Sequence, residues 1–154
     1  MAFWRRGGQG TKGQYDEVVV LGRQVITSAY PSELELFDDV AAELRRGRPL
    51  VTRAAREADL GVVSSVLLSV LSYLSAAAVT GSTEWAVATI GDAGERRLAA
   101  LLTRQRPAVA LEPEEESAVY AEVVAAAERN GLTRSRGETM AAAVIEALRL
   151  RGRE

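Results

Sequence analysis

Between Asp59 and Glu84 the chain carries no charged side chain, and this stretch constrains the fold more than any other. It reads LGVVSSVLLSVLSYLSAAAVTGST. Val63, Leu67, Val70, Leu71 and Leu74 fall on one broad side of a helix. Gly61, Ser65, Ser69, Ser72 and Ala76 form a stripe of small residues on the other. A helix apolar around most of its circumference belongs inside a bundle, inside an oligomer, or in a bilayer. The arginines before the stretch and the acids after it suit a single span with the N-terminus inside. The serines at 64, 65, 69, 72 and 75 dilute the hydrophobicity and favour the bundle. Each serine hydroxyl is expected to bond back to the carbonyl four residues earlier.

The surrounding segments also read as helices. Val18, Leu21, Val25 and Ala29 repeat at helical spacing, although Val18–Val20 and Gly22 would also suit a short strand. Residues 84–90 carry the same ambiguity. Ser32 with Glu35 has the spacing of a capping box ahead of Leu36, Phe37, Val40, Ala41 and Leu44. Residues 53–60 suit a short helix. Leu98, Leu101 and Leu102 give residues 91–105 an apolar side. Glu114, Glu115 and Glu116 open a helix at the end where its dipole favours negative charge. Asn130-Gly131 stops that helix, and Ser135 with Glu138 forms a second box ahead of Met140, Val144, Ile145 and Leu148.

The expected fold is therefore all-α. Five to seven helices would form a bundle around a central apolar helix at about 62–79, with a C-terminal helical hairpin at 114–151. Residues 15–106 would form the core domain and 107–113 an extended linker. Residues 1–14 would form a flexible tail, because Gly7, Gly8, Gly10 and Gly13 make order costly. "GGQGTKG" in that tail lacks the Gly-Lys-Ser/Thr order of a phosphate loop. The basic N-terminus has no apolar h-region, so it is not a secretory signal, and a cytoplasmic location is expected.

Composition narrows the chemistry. The chain has neither cysteine nor histidine. That removes thiolate nucleophiles, disulfides, the usual structural zinc and iron–sulfur sites, and the usual base near neutral pH. The adjacent carboxylates of Asp38 and Asp39 diverge on a helix and would not share a proton. No enzyme, no cofactor and no metal is expected. The net charge is −2, and no segment forms a basic patch.

Residues 49–102, "VTRAAREADLGVVSSVLLSVLSYL" and "WAVATIGDAGERRLAALL", resemble winged-helix regulators. The candidate recognition helix, residues 62–83, has no Arg, Lys, Asn or Gln to reach bases or phosphates. Residues 107–151, with the turn Asn130-Gly131-Leu132-Thr133-Arg134-Ser135, resemble ribbon-helix-helix proteins. That resemblance implies a strand-paired dimer on DNA with phosphate contacts from Arg134, Ser135 and Arg136. "PAVALEP", however, offers alanine and valine where base-reading residues are expected, and Arg136-Gly137 departs from the usual start of the second helix. "YPSELELFDD" resembles small accessory proteins of actinobacterial conflict systems, which implies an adaptor role.

The expected function is a non-enzymatic interaction or adaptor module, oligomeric, acting on itself or on another protein chain. Gly61, Ser65, Ser69, Ser72, Ala76, Val144 and Leu148 are its expected interaction residues. A DNA-binding regulator and a single-span membrane protein are the alternatives.

Overall fold

Val18, Leu21, Val25 and Ile26 are fully buried on one face of the first helix, and four other helices gather on that element. The computed structural model describes residues 2–45, 62–80, 90–103 and 110–153. Among these residues every regular element is helical: α1 (Ala2–Ala29), α2 (Leu34–Arg45), α3 (Val62–Thr80), α4 (Gly91–Thr103), α5 (Pro113–Arg129) and α6 (Arg134–Arg153), with a 3-10 turn at Pro31–Glu33. The chain is an all-α bundle. The strand reading of residues 15–29 gives way to helix, because residues 18, 21, 22, 25 and 26 share one buried side.

Most side chains of the apolar stretch between Val63 and Ser75 are buried, with Tyr73 exposed. α3 packs against α1, α2, α4 and α5. Leu67, Leu68, Leu71 and Leu74 are almost wholly excluded from solvent, and each contributes about 1.5–3 kcal/mol through burial. Gly22 is what lets α1 come so close. A Cβ there would meet the Phe37 ring at 2.8 Å and Leu71 Cδ1 at 3.1 Å, so the absent side chain sets the spacing of α1, α2 and α3.

The N-terminal segment departs from expectation. α1 starts at Ala2, so helical backbone occupies residues expected to form a loose tail. Once the buried half of α1 is held by the core, extending it adds one hydrogen bond per residue without a new nucleus.

The hairpin forms as expected, with helices at 113–129 and 134–153. Gly131 takes φ +95°, which a side chain would resist. The Leu132 N–H donates to the Ala127 carbonyl and the Gly131 N–H to the Glu128 carbonyl, both at 3.0 Å. This is a Schellman stop, closed by buried Leu132. Gly137, which departs from the ribbon-helix-helix pattern, is buried where α6 crosses α5. A Cβ there would meet Ala127 Cβ at 3.3 Å and the Val124 carbonyl at 3.4 Å.

Two expected caps are replaced. The α6 cap is Thr133, whose Oγ1 accepts from the Arg136 N–H at 3.3 Å, and Glu138 pairs with Arg134 instead of closing a box. Ser135 lies inside the first turn, two residues past the cap position. Before α2, a 3-10 turn intervenes, and its N-cap is Tyr30, not Ser32. The box that does form opens α5: the Glu115 carboxylate accepts from the Glu112 N–H at 2.7 Å. Of the expected linker, residues 110–112 carry no regular structure and Pro113 already belongs to α5. The expected short helix at 53–60, the ambiguous 84–89 and the start of the linker lie outside the described residues.

Candidate interaction surface

Three of the seven expected interaction residues, Ser65, Val144 and Leu148, are buried within this chain. Val144 and Leu148 are buried between α6 and its neighbours, and Ser65 is 4% exposed. Ser69 and Ser72 are half-buried. Ala76 belongs to α3, and Gly61 lies outside the described residues. Val144 and Leu148 belong to the hydrophobic core of the bundle. The expected serine back-bond is also not made at Ser72. Among the described residues, the Ser65 and Ser72 hydroxyls are buried without a hydrogen-bond partner.

The surface offers something else. Val20 and Leu150 are two of the three large hydrophobic side chains exposed among the described residues, at 42% and 45%. Both line one groove of about 500 Å3 between α1 and α6. Val20, Gln24 and Thr27 form the α1 wall, spanning two helical turns at i, i+4 and i+7. Ala143, Glu146 and Leu150 form the α6 wall at i, i+3 and i+7. Arg23 and Ser28 complete the α1 side. A helical wheel carries the signal for both hydrophobic residues. Val20 is two residues from Val18 and Leu150 two from Leu148, so each is turned by about 200° from a core position.

Polar joints fix the groove walls. Arg23 Nη1 donates to Asp38 Oδ1 at 2.8 Å, tying α1 to α2. Arg149 grips Glu116 through two bonds, at 2.9 and 3.1 Å, tying α6 to α5. Hydrogen bonding and charge from Glu116 hold the Arg149 guanidinium above its ordinary pKa. The Arg149–Glu116 pair borders a smaller hollow of about 330 Å3 with Tyr120 and Ile145.

Among the described residues Arg151 is the most buried charge, 3% exposed near the end of α6. Its Nη1 donates to the Leu101 carbonyl at 3.0 Å and to Glu17 Oε2 at 3.2 Å, and its Nη2 to the Glu17 carbonyl at 3.3 Å. Leu101 lies in the last turn of α4, where carbonyls lack helical partners and a cation suits the dipole. Arg151 therefore joins α6, α1 and α4 at one point, one residue from Leu150 in the groove.

At the far end of α6, Tyr30 donates its hydroxyl to the Arg136 carbonyl at 3.0 Å. Burial pushes the Tyr30 hydroxyl above its usual pKa of 10.0. The neighbouring Glu33 carboxylate accepts from the Val63 and Ser64 amides in the first turn of α3. Burial nevertheless raises its pKa above 4.5, outweighing Arg136 and those two amides.

The residues of the nucleic-acid alternative are exposed together at the start of α6. Arg134 pairs with Glu138 at 3.2 Å, Ser135 accepts through its carbonyl from Thr139, and the Arg136 N–H is taken by Thr133. Of the segment that would form the ribbon, residues 107–113, residues 107–109 lie outside the described residues, 110–112 carry no regular structure and Pro113 opens α5. No helix among the described residues is long and apolar enough to cross a membrane. Also among them, no three acidic side chains gather as a metal site. The chain matches no protein-family model, no curated protein and no solved structure.

Proposed function

We propose that this chain is a non-enzymatic, cytoplasmic protein–protein interaction module whose working surface is the groove between α1 and α6. The observation that carries this reading is the placement of exposed Val20 and Leu150 on opposite walls of one concave surface. Apolar side chains gathered in a groove with a polar rim are the ordinary signature of a docking site. The groove is built from two helices that the core, the Arg23–Asp38 pair and the Arg151 joint hold in place. A docking chain would therefore meet a formed surface and lose little free energy to ordering. The absence of histidine and cysteine supports a binding role over a catalytic one.

Photo-crosslinking in cells tests this reading. A benzophenone side chain replaces Ala143 in the groove, or Glu128 on the exposed face of α5 as a control. The reading expects discrete adducts from position 143 and not from 128. An absence of adducts from 143, with the variant folded and expressed, would overturn it.

A further inference from the structure

We infer that the occupant of the α1–α6 groove is the same groove of a second copy, related by a two-fold axis. The inference rests on the reading of the groove as the working surface and adds what fills it. A two-fold interface must contain its own complement, because each surface meets itself. This groove does so in apolar surface and in charge. Its walls each carry a large exposed apolar side chain at the same end, Val20 on α1 and Leu150 on α6, so an axis that sets α1 of one copy against α6 of the other brings Val20 of each copy to Leu150 of the other.

Its two walls also carry opposite charges. Arg23 stands on α1 and Glu146 on α6. Arg23 gives Nη1 to Asp38, and a guanidinium has further N–H donors to offer. Glu146 is exposed, and its carboxylate acts on Arg149, three residues on, whose hydrogen bonds go to Glu116. A two-fold axis that sets α1 of one copy against α6 of the other places Arg23 of each copy opposite Glu146 of the other. Both charges are then paired twice over, and a misaligned copy would face like charges. An amphipathic helix of an unrelated protein would meet the apolar walls equally well, but nothing on this surface matches its charge pattern in advance.

Sedimentation equilibrium of the full chain tests the inference on the wild type, Arg23→Glu, Glu146→Arg, the double swap, and Glu128→Arg as a charge control. The expected result is a reversible dimer for the wild type and the control. Each groove reversal should weaken it by about tenfold or more, and the double swap should restore it. Glu146 is exposed and makes no contact between helices that the fold depends on, so its reversal leaves the fold intact even if Arg23→Glu disturbs the contact with Asp38. A dimer indifferent to Glu146→Arg overturns the inference. So does a wild type that stays monomeric to high micromolar concentration. If position 143 then still yields an adduct with a different chain, the interaction reading stands and only the occupant is wrong. A monomer with no adduct removes both.

Discussion

The guanidinium of Arg151 donates to the main-chain carbonyl of Leu101, 50 residues earlier in sequence, at 3.0 Å. A buried cation thus closes the open end of α4 and anchors the last turns of α6. Replacing Arg151 by Ala removes a buried donor from the Leu101 carbonyl and from Glu17, at a cost of about 2–4 kcal/mol. Lys should recover only part of this, since one ammonium cannot span the contacts of a forked guanidinium. Thermal and denaturant unfolding check the order wild type, Lys, Ala. Equal stability of all three would contradict the role assigned to the joint.

Gly22 and Gly94 are helical glycines at which alanine should destabilise, against its higher helix propensity. A Cβ at Gly22 meets the Phe37 ring, and one at Gly94 meets the Glu115 carboxylate. Glu115 cannot easily yield, being held by the Glu112 N–H and by Arg97 Nε at 3.1 Å. Overpacking of about 1–3 kcal/mol outweighs the gain of about 1 kcal/mol from propensity. Urea midpoints of the two alanine variants should both fall below that of the wild type.

The caps of α6 give a test with opposite outcomes at neighbouring positions. Thr133→Ala removes the bond to the Arg136 N–H and should cost about 1 kcal/mol. Ser135→Ala removes an exposed hydroxyl and should stay within about 0.5 kcal/mol of wild type. Chemical denaturation of the pair distinguishes this arrangement from a box built on Ser135 and Glu138.

Glu33 predicts a pH dependence. Its pKa is raised in the folded chain, so the folded state binds the proton more readily than the unfolded one. Stability from this group therefore rises as pH falls from the raised pKa toward 4.5, and is lost again as pH climbs back. In Glu33→Gln that component is gone. The melting temperature of the wild type, relative to Glu33→Gln, should increase as pH drops from neutral toward that value. A difference that is flat, or of opposite slope, would contradict the account.

The all-α class and the hairpin were legible because they depend on local pattern. Val119, Val123 and Ala126, like Met140, Val144 and Leu148, repeat at helical spacing, and Asn130-Gly131 marks a stop no helix crosses cheaply. The caps were harder, since moving a helix start by one or two residues transfers the role from Ser135 to Thr133. The candidate surface was least legible. Small and apolar residues such as Ser65, Val144 and Leu148 mark a face that meets something, and sequence does not say whether that is the chain itself or another chain. Arg151 reads as one more exposed arginine near the C-terminus. Only the approach of α1 and α4 removes it from water. Val20 and Leu150 acquire meaning only when α1 and α6, far apart in sequence, are set side by side.

Light scattering coupled to size exclusion, run over a range of loading concentrations on the wild type and on Val20→Glu and Leu150→Glu, tests the central claim most directly. Both substitutions fall on exposed positions and should leave melting temperature and helicity near wild type. The account predicts twice the chain mass for the wild type at high concentration and the single-chain mass for both variants. A dimer that survives both substitutions, or a wild type that elutes at the single-chain mass throughout, would contradict the claim that the α1–α6 groove receives a second copy.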